Sequence, residues 1–135
     1  MPILRAHGMD DVSLPTICRS VVIAKLTYAS SAWSGFASTS DLQRLEALIR
    51  RSDRCSFVPA NLPTFADLCE NADEKLSNAI TSGCNHVLHY LLPSQSQGSQ
   101  HYDLRQRPHN FALPSRTVHL TDKNYIQRML YLNSY

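Results

Sequence analysis

Residues 13–33 read SLPTICRSVVIAKLTYASSAW, and this stretch decides the class of fold. Its apolar residues recur at helical spacing along two stripes. The first stripe is Leu14, Ile17, Val21, Ala24 and Tyr28, and the second is Val22, Leu26, Ala29 and Trp33. Two apolar faces are typical of a helix that is central and largely buried. We predict that this helix begins at Ser13, a capping residue followed by Pro15 in the first turn, and ends near Gly35.

Further helices are predicted downstream. The stretch Ser40 to Gln43 fits a capping box and indicates the start of a second helix. The apolar stripe of this helix is Leu42, Leu45, Leu48 and Ile49. Apolar residues from Phe65 to Leu92 then predict two or three short helices, separated near Asn71 and Gly83. The sequence therefore predicts a mostly α fold, a small irregular helical bundle, for residues 1–92.

The chain after residue 92 has a different composition. Residues 94–100 read SQSQGSQ, a polar run with nothing to bury, so a flexible linker is predicted over residues 93–101. Residues 102–135 are predicted to form a flexible, extended tail that ends in a short helix capped by Thr121. This tail is basic, because positions 93–135 hold five Lys and Arg against two Asp and Glu.

Length and overall charge set limits on the class of protein. The chain has 135 residues, enough for one modest domain or a smaller domain with a tail, and its net charge of +2 is too small to indicate nucleic-acid binding. No run approaches the roughly 18 apolar residues of a membrane-spanning helix, and the N-terminus lacks a signal-peptide pattern. We therefore expect an intracellular protein with no membrane partner and with free cysteine thiols.

The most metal-like residues lie within one window of the sequence. Cys69, Cys84, His86 and His89 offer two sulfur and two imidazole ligands, which zinc accepts. The cysteines, however, lack the close pairing of a C-x2-C turn. The competing interpretation makes the cysteines small buried residues and the histidines polar residues near a helix end. We favour that interpretation and predict no metal site.

Catalytic and cofactor patterns are absent from the sequence. Asp10-Asp11 and Asp73-Glu74 are interpreted as residues that precede helices, where negative charge favours the helix dipole. No glycine-rich phosphate loop is present. A nucleophilic cysteine would need a base beside it, which a sequence alone does not reveal. We accordingly predict no catalytic residue and no cofactor.

The basic residues are the remaining candidates for a site. Arg50, Arg51 and Arg54 fall within about one helical turn. In the tail, basic and aromatic residues are interleaved, and these residues are Arg105, Arg107 and Arg116 with Tyr102, His109 and Phe111. Such a mixture suits phosphate contacts combined with base stacking. The alternative interpretation is an ordinary solvated helix face and an ordinary polar tail.

Several segments of the sequence resemble a known family. Residues 102–111 read YDLRQRPHNF, with LP at 113–114 and IQRMLY at 126–131. Upstream segments are RSVV at 19–22, YASSAW at 28–33, residues 42–51, DEKL at 73–76 and NHVLH at 85–89. In this order they resemble the C-terminal region, after the polymerase palm, of LINE-type, jockey-like non-LTR retrotransposon reverse transcriptases. The resemblance covers nearly the whole chain.

The resemblance implies a thumb-like region that contacts template and primer while the chemistry takes place elsewhere. Family members carry an aromatic-x-Asp-Asp motif that holds magnesium, and an upstream endonuclease with its own acidic residues. Neither occurs here, since Asp10-Asp11 is the only Asp-Asp pair and lacks the aromatic context. Residues 1–12 resemble mid-chain family sequence, so we expect that Met1 opens a truncated reading frame. No family catalytic residue transfers to this chain.

Three hypotheses follow. The first is a fragment of an RNA-directed DNA polymerase without independent activity. The second is a helical module that binds RNA or DNA weakly and without sequence specificity, through Arg50, Arg51, Arg54, Arg105 and Arg107. The third is a zinc-stabilised helical module built on the Cys and His window. Apolar faces that would pack on a palm are expected to promote self-association.

Overall fold

The chain is mostly helical, which confirms the predicted fold class. The computed structural model describes residues 3, 6–10, 12–58, 62–96, 109–116 and 118–132. Its α-helices are α1 (Ser13–Ile17), α2 (Ala24–Thr27), α3 (Ser30–Trp33), α4 (Thr39–Arg54), α5 (Phe65–Ser82), α6 (His119–Asp122) and α7 (Tyr125–Tyr131). Short 3-10 helices occupy Ser34–Phe36 and His89–Leu91. Among the described residues, β structure is limited to one isolated antiparallel bridge, between Gln95 and Phe111.

The predicted first helix contains a π-helical segment, Cys18–Ile23, between α1 and α2. Its buried residues are Leu14, Cys18 and Ile23, so the spacing is four residues and then five. The wider π turn shifts the buried face by one residue relative to a regular α-helix. Val21, which the predicted stripe placed in the core, is consequently 57% exposed. The prediction that both stripes are largely buried was therefore wrong.

This helix also ends earlier than predicted. Tyr28 leaves the helical conformation, and Ala29 has a φ of 50°. A residue in the left-handed region cannot continue a right-handed helix, so the helix is interrupted here before α3 begins at Ser30. The predicted cap was also wrong, because Ser13 is already helical and Val12 occupies the capping position without a side-chain hydrogen bond.

The capping residue of α4 lies two residues before Ser40, the first residue of the predicted capping box. Ser38 is the capping residue: its Oγ accepts a hydrogen bond from the Asp41 amide at 3.2 Å and donates to Asp41 Oδ2 at 2.6 Å. The hydrogen bond from Ser38 lowers the pKa of the Asp41 carboxyl group. On the apolar side of α4, Ile49 is buried, whereas Leu48 is 42% exposed.

Helix α5 is a single helix of 18 residues, so the predicted break near Asn71 was wrong. Asn71 stays within the helix, and its side chain donates to the Asp67 carbonyl oxygen one turn earlier. Thr64 and Asp67 cap the N-terminus reciprocally: the Thr64 amide donates to Asp67 Oδ2, and the Asp67 amide donates to Thr64 Oγ1. The predicted interruption near Gly83 agrees with the helix end at Ser82.

The chain divides into two compact units. Unit 1 comprises Met1–Ser30 with Ala37–Ala72, and unit 2 comprises Ser31–Phe36 with Asp73–Tyr135. This division does not coincide with the predicted boundaries at residues 92 and 101. The terminal helix α7 belongs to the same unit as the C-terminal half of α5, because it buries Tyr125 and Leu130.

Within unit 2, the predicted linker and tail are partly ordered. The Ser96 amide donates to the Asn110 carbonyl oxygen at 2.7 Å, and the Ala112 amide donates to the Ser94 carbonyl oxygen at 2.9 Å. The remaining linker residues, 97–101, and tail residues 102–108 lie outside the described part. Helix α7 is capped by Asn124, whose Oδ1 accepts from the Ile126 amide, and not by Thr121 as predicted.

In the part of the chain that the structure describes, no helix combines the length and the apolar character needed to cross a bilayer.

Candidate nucleic-acid interface

The cationic side of α4 forms an open groove in unit 1. Its lining residues are Gln43, Glu46, Ala47, Arg50, Arg51 and Arg54. The three arginines are exposed, as the sequence predicted. They lie in the last turns of α4, where positive charge interacts favourably with the negative end of the helix dipole.

The three arginines differ in their partners. Arg50 Nε lies 3.5 Å from Glu46 Oε1, one helical turn earlier, and its side chain is 70% exposed. No ion pair joins Arg51 or Arg54 to an acidic residue among the described residues. Within the described part of the chain, the groove therefore offers two guanidinium groups without an ionic partner and one that is already paired.

Glu46 connects this groove to the next helix. Its Oε2 accepts a hydrogen bond of 2.9 Å from the Phe65 amide, which is the first residue of α5. Phe65 itself is buried, with 2% of its surface exposed. Glu46 is thus fixed by α5 on one oxygen while its other oxygen faces Arg50.

The second group of predicted phosphate-binding residues lies in the C-terminal tail. Arg105 and Arg107 lie outside the described residues. The next basic residue, Arg116, lies in unit 2 with its guanidinium carbon 4.1 Å from the centre of the Tyr131 ring, a cation–π contact. The Arg116 guanidinium is therefore already engaged by the Tyr131 ring.

The structure does not bring the zinc window together. Among the residues that it describes, no three His, Cys, Asp or Glu side chains form a group able to hold a metal ion. Cys84 is exposed, His89 Nδ1 donates to the Ile80 carbonyl oxygen, and His86 Nδ1 accepts from the Leu88 amide. Each imidazole thus has a local backbone partner.

Burial raises the pKa of the Cys18 thiol, which disfavours a reactive thiolate there.

Unit 2 contains a buried polar network that the sequence did not predict. Asp73, interpreted above as a residue before a helix, lies within α5 and is 7% exposed. Its Oδ2 lies 3.2 Å from Arg128 Nη2. Arg128 Nη2 also donates to the Ser31 carbonyl oxygen at 3.2 Å and to Ser34 Oγ at 3.4 Å. This guanidinium joins α3, α5 and α7.

Tyr125 completes the network. Its hydroxyl donates to the Asp73 carbonyl oxygen at 2.8 Å. Burial, reinforced by the charge of Asp73, raises the pKa of Tyr125 to about 12, so the phenol remains a donor at neutral pH. Asp73 Oδ1 and Arg128 Nε are buried, and neither has a hydrogen-bond partner among the described residues. The Asp73–Arg128 pair thus has one N···O contact, whereas a bidentate arginine–carboxylate pair has two.

His109 joins the tail to the terminal helix in the same unit. Its Nε2 donates to the Leu130 carbonyl oxygen at 2.7 Å, and its Nδ1 accepts from the Phe111 amide at 3.2 Å. The Tyr131 hydroxyl donates to the Pro114 carbonyl oxygen. Residues 109–114 are therefore held against α7.

Comparison with family models, curated proteins and solved structures gives no match for this chain.

Proposed function

We propose that this chain is the C-terminal, post-palm region of a LINE-type, jockey-like non-LTR reverse transcriptase, and that it performs no phosphoryl transfer by itself. The proposal is based on the ordered resemblance along the sequence, above all the run RQRPHNF at residues 105–111. The chain lacks the aromatic-x-Asp-Asp motif of that family. Its action would be intracellular.

One structural observation supports this proposal most directly. Two separate segments of the resemblance, residues 102–111 and 126–131, contact each other through the hydrogen bond from His109 to Leu130. Arg128, in the second segment, also contacts Asp73 and Ser31, which lie in two further segments. Residues from four of the resembling segments therefore contact one another within unit 2.

A primer-extension assay tests the absence of polymerase activity. The purified chain should incorporate no nucleotide above a buffer control, with magnesium or with manganese, because two-metal phosphoryl transfer needs carboxylates on both sides of the reacting phosphate. An active reverse transcriptase on the same primer and template is the positive control. Incorporation by the chain that persists through further purification would contradict the proposal.

The second candidate function is binding of the RNA or DNA backbone without sequence specificity. The observation that favours it is the pair Arg51 and Arg54, both exposed and without an acidic partner among the described residues. Arg105 and Arg107 would add to this binding.

Exposed apolar side chains of unit 2 would also promote self-association, which sedimentation of the same samples would measure. These side chains are Phe36, Val87, Tyr90, Leu91, Val118 and Leu120.

Binding of this kind should weaken steeply with salt. Each phosphate contact on a duplex contributes about 0.9 to the slope of log affinity against log salt, so Arg51→Ala and Arg54→Ala should each flatten the slope by about 0.9. The double change of Arg105 and Arg107 to alanine should flatten it by about 1.8 if both contact phosphate. Fluorescence anisotropy with a labelled duplex measures the slope.

His86→Ala and His89→Ala serve as controls in this assay, because both histidines lie in unit 2 and carry no assigned contact to nucleic acid. Their slopes should equal that of the unchanged protein. Absence of binding at low salt would eliminate this second function, and a loss of binding confined to the histidine variants would assign it to another surface.

A further inference from the structure

We propose that Glu46 holds Arg50 out of nucleic-acid binding, so that Arg51 and Arg54 are the cations of α4 that contact phosphate. This inference rests on the second proposed function, and it makes Glu46 the residue that determines which arginines of α4 contact phosphate. It predicts that the groove contributes two phosphate contacts where the sequence predicts three.

The two carboxylate oxygens of Glu46 have separate partners. Oε2 accepts from the Phe65 amide at 2.9 Å, and Oε1 lies 3.5 Å from Arg50 Nε. The Glu46 side chain is 22% exposed, against 70% for Arg50. The carboxylate is therefore the more buried member of the pair and is anchored to α5, whereas the guanidinium is the more exposed member.

The hydrogen bond to Phe65 keeps the negative charge of Glu46 in the groove. Phe65 is the first residue of α5, where the exposed amides and the helix dipole favour an anion. Glu46 would lose this contact if it rotated away from the groove. A phosphate that approaches Arg50 is therefore repelled by the Glu46 carboxylate, which the hydrogen bond from Phe65 holds beside Arg50.

Salt does not remove this repulsion. A phosphate bound to Arg50 would lie within one Debye length of Glu46, which is about 8 Å at physiological ionic strength, so the two negative charges repel each other. Arg51 and Arg54 form no ion pair with an acidic side chain in the described part of the chain, so no carboxylate already engages their guanidinium groups. Phosphate contacts are consequently favoured at these two positions.

The decisive variant is Glu46→Gln, whose amide oxygen can still accept from Phe65 while the negative charge is removed. Arg50 then becomes available as an additional phosphate contact. Affinity for a short mixed-sequence DNA duplex should become more salt-dependent, with the slope steeper by about 0.9. Between about 50 and 200 mM salt, this adds about a 3.5-fold loss to that of the unchanged protein.

Arg50 variants complete the experiment. Arg50→Ala alone should leave the slope unchanged, whereas Arg50→Ala combined with Glu46→Gln should abolish the increase. Glu70→Gln is the matched control for net charge, since Glu70 is an exposed acidic residue of unit 1 that does not line the groove. Its slope should not change.

Thermal unfolding separates the charge effect from a folding effect. Glu46→Gln should unfold close to the temperature of the unchanged protein, whereas Glu46→Ala, which removes the hydrogen bond between the Phe65 amide and Glu46, should unfold at a lower temperature. The inference is overturned if Arg50→Ala flattens the slope as much as Arg51→Ala does. It is also overturned if Glu46→Gln and Glu70→Gln behave alike. A complete absence of binding by the unchanged protein would instead reject the nucleic-acid function itself.

Discussion

Replacing Arg128 with alanine is expected to lower the free energy of unfolding by about 3 kcal/mol, because it leaves the Asp73 carboxylate buried without its counter-charge. Asp73 has 10% of its side chain exposed, whereas Arg128 has 28%. This partial exposure of Arg128 places the expected loss at the lower end of the range for buried ion pairs. The same change removes the hydrogen bonds to Ser31 and Ser34. Urea denaturation followed by circular dichroism measures the effect.

A double-mutant cycle identifies the source of this loss. Asp73→Ala combined with Arg128→Ala should cost less than the sum of the two single changes, since the second substitution removes the unpaired charge. Arg44→Ala is the surface control, because Arg44 is 80% exposed in its pair with Asp41, and it should change stability by no more than about 0.5 kcal/mol. A loss below about 1 kcal/mol for Arg128→Ala would show that the ion pair is not a major contact of unit 2.

Replacing Gly35 with valine should be about as damaging, at about 3 kcal/mol or more, for a steric reason. A Cβ atom at this position would lie 2.3 Å from the Lys123 carbonyl oxygen and 2.7 Å from Arg128 Nε. The first of these atoms belongs to the backbone, so relief requires movement of the turn between α6 and α7. Thermal unfolding of the variant would report the loss.

Gly8→Ala provides the contrast for this prediction. Gly8 has a φ of 82° and no atom within 4 Å of a built Cβ, so alanine there costs about 1 kcal/mol through backbone conformation alone. Gly35→Ala should be more damaging than Gly8→Ala. Equal losses at the two positions would mean that residues 34–36 do not pack closely on the α6 to α7 turn.

Helical periodicity predicted the positions of the main helices but not the details of their buried faces. The apolar pattern located α4 and the region of α1 and α2 correctly. It failed at Val21, because a π turn adds one residue to the spacing and the stripe was counted with a regular period. Local pattern also failed at Asn71, where a residue common in turns is retained inside α5 by its backbone hydrogen bond.

The candidate interface was predictable only in part. Exposure of Arg50, Arg51 and Arg54 follows from their place on the polar side of an amphipathic helix. The pairing of Arg50 with Glu46 has the four-residue spacing of a helical ion pair and could have been read from the sequence. The hydrogen bond from Phe65 to Glu46 joins residues on different helices, and no local pattern contains it.

The polar network around Asp73 also consists of contacts that local sequence patterns do not contain. On sequence alone, Asp73, next to Glu74, is interpreted as a residue that favours the helix dipole at a helix start. Local charge patterns cannot indicate that Asp73 has a partner on a distant helix. Arg128 lies in an apolar terminal segment whose contacts depend on tertiary packing. Only the packing of α5 against α7 identifies these two residues as an ion pair.

The contacts of Arg128 also determine the order in which the protein is able to fold during synthesis. Ser31 and Arg128 are 97 positions apart, so residues 31–36 leave the ribosome long before the helix that binds them. Unit 1 contains no residue beyond Ala72, whereas unit 2 includes α7, so we expect unit 1 to be able to close first. During this interval, Phe36 lacks Tyr125 and Ile126 of α7, which line the same cavity in the folded unit, so we expect its ring to be more exposed until α7 emerges. Ribosomes that pause before α7 would prolong this exposure.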